Sequence, residues 1–181
     1  MIFVIIFVYV SAEASTSREC PIHFCETSKT VNDPSNKEPA HGVIFVDGQP
    51  TVIFDTICTK EKSPWLATDE VHRLLVDVWS HSTLWLVGRY VIMPDHIHLF
   101  AWATEQSIEY DNWVRYWKSQ FTKRHSNPNR VWQPQHWDTR VRSEAGYEEK
   151  WNYVRQNPVR AGLAADENCW PFQGELFELQ W

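Results

Sequence analysis

Two apolar runs separated by a two-residue break constrain this chain more than any other feature. Leu84–Met93 and His96–Ala103 each have the length and the β-branched and aromatic content of a strand, and Pro94-Asp95 lies between them. So short a break makes the pair an antiparallel hairpin. Strand side chains alternate between faces, so His96 and His98 point to one side and Ile97 and Leu99 to the other. Two imidazoles on one face can chelate a single metal ion.

The flanking sequence supplies helices to pack on such a sheet. Thr68 is an N-cap for a helix over 69–80, with Asp69 and Glu70 in its first turn and Val71, Leu74, Leu75 and Val78 as its apolar stripe. Ser107 is expected to cap a second helix reaching about Arg124, with Trp113, Tyr116, Trp117, Gln120 and Phe121 on one side. Residues 131–142 read as irregular and then extended. Ser143 opens a last main helix over 143–157, which Pro158 ends. At 100° per residue Tyr147, Trp151 and Val154 fall in one core-facing stripe, and Tyr153 shares a second, polar face with Gly146, Lys150 and Asn157.

Towards the N-terminus, Val43–Val46 ends at Asp47-Gly48 and is expected to form a hairpin with Thr51–Thr59. Residues 11–50 are polar and aperiodic, which reads as a flexible lead-in. The apolar run Met1–Val10, followed by Ala12-Glu-Ala14, has the outline of a signal sequence without its positive start. A poor signal peptide, a buried strand and an upstream extension are the three readings of it, and the extension is favoured. The expected organisation is an extension over 1–49, a catalytic-type domain over 50–165 and a tail over 166–181. The tail's Trp170, Phe172, Phe177 and Trp181 either pack back or stay mobile.

The formal net charge of −6 argues against attraction of the whole molecule to nucleic acid. The charge is unevenly placed, however. Residues 111–163 carry ten Lys/Arg against five Asp/Glu, leaving seven and eighteen for the rest of the chain. One basic segment on an acidic protein is room for a local polyanion site, although a solvated charged face has the same composition. Cys20, Cys25, Cys58 and Cys169 lack a zinc-ligand spacing and read as free thiols in a reducing compartment.

Three pieces of this sequence join into chemistry: His96-Ile-His98 on a strand, Tyr153 on a helix, and Asn157 one turn later. A tyrosine hydroxyl is a poor nucleophile until a cation or base assists it. Two neutral imidazoles and one oxygen ligand make an open divalent site able to neutralise charge developing on a phosphate. That set suits phosphodiester cleavage. Singly, each part has an ordinary role: a solvent-facing or core histidine, a packing tyrosine, a helix C-cap asparagine.

Together, Val91-Ile-Met-Pro-Asp-His-Ile-His-Leu-Phe100, Val131-Trp-Gln133 with Trp137-Asp-Thr-Arg-Val-Arg142, and Tyr153-Val-Arg-Gln-Asn-Pro-Val-Arg-Ala-Gly-Leu163 resemble the REP-associated tyrosine transposases, single-tyrosine HUH enzymes related to insertion-sequence transposases. The resemblance spans roughly residues 50–165. It implies an α+β fold, a ferredoxin-like antiparallel sheet with helices packed on it and the HUH motif on a central strand. It implies His96, His98 and Asn157 as ligands of Mg²⁺ or Mn²⁺ and Tyr153 as the nucleophile. The implied reaction is cleavage and rejoining of single-stranded or hairpin DNA through a 5′-phosphotyrosine in the cytoplasm, with no membrane partner, by a monomer, a dimer being the alternative. Arg140, Arg142, Arg155, Arg160, Lys118 and Lys123 are the expected phosphate contacts, and Trp132 an exposed aromatic for stacking on bases. A domesticated, catalytically silent binder of hairpin DNA is the alternative. Asp95 stands where such proteins often carry Asn and adds negative field beside His96.

Overall fold

The computed structural model describes residues 45–46, 49–104 and 108–179. The expectations for Met1–Val10, the lead-in, Cys20, Cys25, Ser107 and Trp181 lie outside the described residues. Short strands β1 (Phe45–Val46) and β2 (Gln49–Pro50) pair with each other. The hairpin at Asp47-Gly48 is therefore local, and the strand expected as its second arm, β3 (Val52–Cys58), pairs elsewhere. The two-residue arms are polar or Pro-containing beyond the turn, whereas β3 carries the apolar alternation that a sheet core requires.

From β3 the chain runs through α1 (Asp69–Ser80), β4 (Trp85–Ile92), β5 (His96–Ala103), α2 (Tyr110–His125) and β6 (Trp137–Val141). The spatial order β6-β3-β5-β4 is fully antiparallel, which is the ferredoxin-like βαββαβ arrangement. The tail supplies β7 (Gln173–Glu175), which adds to the free edge of β4, so residues beyond 165 complete the same sheet. The histidine strand β5 is the middle one of five. Among the described residues no helix is long and apolar enough to cross a membrane.

The two faces of the sheet are covered differently. On one, Ile53, Ile57, Ile97 and Leu99 meet Leu75 and Trp79 of α1 and Trp113, Trp117 and Phe121 of α2 in the larger core. On the other, Val52, Val91, Phe100, Trp102 and Val141 meet Tyr147 and Val154 of α3 (Glu144–Val154), together with Trp170 of the tail. The histidines lie on this second face.

Local chemistry sets the helix ends. Thr68 Oγ1 accepts from the Val71 amide at 3.3 Å, and Ser143 Oγ from that of Gly146 at 3.2 Å, as their sequence positions predict. Helix α2 begins at Tyr110 rather than just after Ser107, with Glu109 at its N-cap. Tyr116, expected on the apolar side, is exposed, while Trp113, Trp117 and Phe121 are fully buried. The tyrosine helix ends at Val154, and Asn157–Arg160 forms a separate short turn, α4, with Pro158 as its second residue. Proline lacks a donor and fixes φ, so it opens a new turn more readily than it continues an old one.

Arg89, in a bulge of β4, holds α3 in place. Its guanidinium donates to Glu148 at 2.7 Å and Glu175 at 3.3 Å and lies 5.2 Å from the Tyr147 ring centroid and 5.5 Å from that of Trp151. One side chain thereby ties β4, β7 and the tyrosine helix together.

Candidate active site

The turn Pro94-Asp95 aims the start of β5. Met93 donates its amide to the His96 carbonyl at 2.8 Å, and the turn's own carbonyls accept from Thr59 at 2.9 Å and Leu66 at 2.9 Å. Because β3 and the following loop hold the turn from outside, His96 starts the strand in a fixed register. His96 and His98 then project from one face, half-buried, with Nε2 of one 3.2 Å from Nε2 of the other.

Each ring is held through its other nitrogen. His96 Nδ1 lies 2.6 Å from Asp95 Oδ1, and His98 Nδ1 lies 2.9 Å from the hydroxyl of Thr56, its register partner on β3. With Nδ1 of His96 donating to the carboxylate, its Nε2 presents a lone pair. Two imidazole nitrogens facing each other at this distance need a proton or a cation between them. Burial holds His98 well below the ordinary imidazole pKa, and His96, Lys62 and Arg160 push it the same way. Burial raises Asp95, but the His96 hydrogen bond and the charges of His96 and Lys62 outweigh it, leaving this carboxyl below its usual range. Two Nε2 atoms converging beside the Asp95 carboxylate form a donor pair suited to a divalent metal. Among the described residues no three or more His, Cys, Asp or Glu side chains are arranged as a complete metal-binding set.

The tyrosine helix packs over the same face. Lys150 Nζ lies 5.2 Å from the centroid of Phe54, which in turn stacks on His98 at 5.7 Å, while Tyr147 meets Phe100 at 4.5 Å. Tyr153 is 58% exposed on the solvent side of α3, so its hydroxyl is accessible. Arg160 connects the next turn to it. Its guanidinium stacks 4.2 Å from the Tyr153 ring centroid, donates to the Tyr153 carbonyl at 2.7 Å and donates to Asn157 Oδ1. The Arg160 charge is also one of the minor causes that lower the His98 pKa.

The expected phosphate contacts separate into two groups. Arg142, Arg160 and Lys123 are exposed. Arg155 is paired with Glu167, and Arg140, opposite Ile53, sits on the face covered by α1 and α2, away from the histidines. Two expectations are corrected. Lys118 is 8% exposed, donates to the Gln133 carbonyl at 3.0 Å and is pushed down to about 8 by burial. Trp132, expected to be exposed, is likewise 8% exposed, packed between Trp117, Phe121 and Trp65. The segment before β6 folds inward under α2 and carries Trp132 with it, whereas Trp137 of β6 is exposed.

Sequence reasoning missed Thr56 and the link made by Arg160. Thr56 becomes visible only once strand register is known. The Tyr153–Asn157–Arg160 spacing of four and three is a helical signal that was available.

On the opposite face is a second polar cluster. Asp55, fully buried, lies 2.9 Å from His136 Nδ1 and accepts from Tyr110 at 3.0 Å, while His136 Nε2 lies 3.3 Å from Asp111. An open pocket of about 400 Å³ adjoins it, lined by Asp111, Val114, Arg115, Pro134, Gln135, His136 and Asp138. This cluster joins β3, α2 and the segment leading into β6.

No family model matches the chain. Individual proteins do. A REP-associated tyrosine transposase of Escherichia coli is 29% identical over 86 residues, covering 48% of this chain and 52% of that protein. A Haemophilus influenzae protein named for the same group is 31% identical over 94 residues, covering 45% and 53%. The chain thus spans about half the length of the curated relatives it matches. Among solved structures, a REP-associated tyrosine transposase bound to a REP hairpin superposes with a TM-score of 0.58 at 25% identity, covering 68% of this chain and 75% of that one. Sequence similarity and superposition therefore point the same way, and the chain is similar in sequence and in fold to REP-associated tyrosine transposases.

Proposed function

We propose that this protein is a metal-dependent, single-tyrosine strand transferase acting on single-stranded or hairpin DNA. The observation that carries the reading is the convergence of His96 Nε2 and His98 Nε2 at 3.2 Å on the sheet face over which the Tyr153 helix packs. Support comes from the relatives, one of which was solved with a REP hairpin.

In this reading His96, His98 and Asn157 hold Mg²⁺ or Mn²⁺, and the bound metal supplies Lewis-acid polarisation of the scissile phosphate. The donor set fits, because both Nδ1 atoms are engaged by Asp95 and Thr56 and both Nε2 atoms remain to bind. The Tyr153 oxygen attacks phosphorus as its proton leaves to solvent. The bond from phosphorus to the 3′ oxygen of the preceding nucleotide breaks, and that oxygen takes up a proton. A 5′-phosphotyrosine and a free 3′-hydroxyl result, and attack by another 3′-hydroxyl reverses the step on a new strand. In this reading Arg160, stacked on the Tyr153 ring, would stabilise charge on the phenolate and on the attacked phosphate. Arg142 and Lys123 steer the polyanion.

One observation favours the alternative, a silent hairpin binder: the Asn157 side-chain oxygen accepts from Arg160 and must be released before it can serve as a ligand. Covalent labelling of the protein by a hairpin oligonucleotide with Mn²⁺, compared with the Tyr153→Phe variant, tests the leading reading. Salt-sensitive binding without an adduct selects the alternative.

A further inference from the structure

Trp137 is the most exposed large apolar side chain described, 60% open to solvent on the edge strand β6, and its indole has no ring or hydrogen-bond partner among the described residues. Its position in the sheet is specific. Trp137 pairs with Thr56 on β3, Thr56 pairs with His98 on β5, and directly paired residues project from the same face. The indole, the threonine hydroxyl and the imidazole therefore form one row across the sheet, and Trp137 stands at its open end.

The row is bordered by cations. Lys150 sits over Phe54, which stacks on His98, and Lys62 donates at 3.2 Å to Sγ of Cys58, the register partner of His96. On a protein of formal charge −6, positive groups around an open aromatic face match a strand whose phosphates and bases alternate. The backbone under Trp137 is also fixed from behind. His136 is held 2.9 Å from the buried Asp55, and Asp138 is 6% exposed on the face covered by α1 and α2. A platform locked in this way loses little freedom when a base stacks on it.

We propose that Trp137 is a stacking platform for an unpaired base of the DNA strand led to the histidine pair. The inference rests on the DNA strand-transfer reading and deepens it by assigning a contact to the single-stranded flank rather than to the hairpin stem. Sequence alone pointed to Trp132 for this role, but that indole is buried.

The test uses the full chain, a blunt hairpin oligonucleotide, and the same hairpin with a single-stranded flank carrying 2-aminopurine. Trp137→Phe keeps a ring, and Trp137→Leu keeps apolar bulk without a stacking face; both residues suit a strand. The parent is expected to bind the flanked hairpin more tightly than the blunt one and to quench the 2-aminopurine. Trp137→Leu is expected to bind the flanked hairpin about tenfold more weakly, with quenching lost, and the blunt one unchanged. Trp137→Phe is expected to stay within about threefold of the parent on both. Equal binding and quenching by parent and Trp137→Leu overturns the stacking role while leaving the DNA reading intact. A parent that binds neither hairpin overturns the DNA reading and this inference with it. A Trp137→Leu variant that weakens both hairpins equally assigns Trp137 to the stem and also overturns the proposal.

Discussion

The Arg160 guanidinium lies 4.2 Å from the centroid of the Tyr153 ring while donating to the carbonyl of that same residue at 2.7 Å. A cation so held cannot leave the tyrosine without breaking a backbone contact, which makes it a fixed part of the environment in which a phenolate forms. Arg160→Lys keeps the charge but loses the planar stack and the forked donors. The expected result is about a ten- to hundredfold slower appearance of covalent adduct with an unchanged melting temperature. An unchanged rate would place Arg160 outside the reaction.

Thr56 is tied to His98 by a 2.9 Å hydrogen bond to Nδ1 and sets that ring's orientation. Thr56→Val preserves shape and strand preference and removes only the hydroxyl. Partners of this kind typically change metal affinity by about 10- to 100-fold when lost. Calorimetric titration with Mn²⁺ should show a drop of that order, and equal affinity in the two proteins would contradict a metal held by His98.

Arg89 ties the tyrosine helix to β4 and β7 through Glu148 and Glu175. Replacing it with Met keeps part of the packing on Tyr147 and Trp151 and removes both ion pairs. These carboxylates are well exposed, so the expected loss is modest, roughly 1 kcal/mol, or about 3 °C in Tm for a chain of this size. Adduct formation should fall by a larger factor than stability, because the helix carrying Tyr153 is loosened. A fall in stability alone would make Arg89 a packing residue only.

The cluster of Asp55 and His136 gives a pH signature. Burial disfavours the imidazolium of His136, but the hydrogen bond and charge of Asp55 outweigh it and raise its pKa, while Asp138 adds to this and Lys118 opposes it. Burial likewise raises Asp55, against the hydrogen bonds of His136 and Tyr110. A His raised in the folded state contributes stability that is full below its unfolded pKa, about 6.5, and lost as pH rises through the folded value. Asp55→Asn/His136→Gln removes both titrating groups, each raised in the parent and each losing its contribution as pH rises. The Tm difference from the parent should shrink as pH is raised towards 9. Taking the difference cancels the opposite trend from His98, and a gap that widens with pH would contradict the pairing.

Legibility in the sequence followed the range of the forces involved. Helix α1 and its Thr68 cap, the Ser143 cap and the β4–β5 hairpin depend on periodicity and neighbours within a few residues, and they were readable. The partner of β3 was not, because Asp47-Gly48 signals a turn but says nothing of which strand has the apolar face to enter a sheet. Lys118 and Trp132 carried the composition of a nucleic-acid contact, yet their exposure is decided by how residues 126–136 fold under α2. The His96–His98 pair was legible as a shared face. Its closure by Thr56, and the row that runs on to Trp137, needed the sheet register.

The central claim, that Tyr153 attacks DNA at the face held by His96 and His98, is tested most directly by one labelling experiment. The purified chain is incubated with Mn²⁺ and a series of flanked hairpin oligonucleotides labelled on the 3′ side, and adducts are resolved by denaturing electrophoresis and peptide mapping. The parent is expected to carry the labelled fragment on the peptide containing Tyr153, with no adduct from Tyr153→Phe or from His96→Ala/His98→Ala. An adduct that persists in Tyr153→Phe, or a parent that binds the hairpins and never becomes labelled, would contradict it.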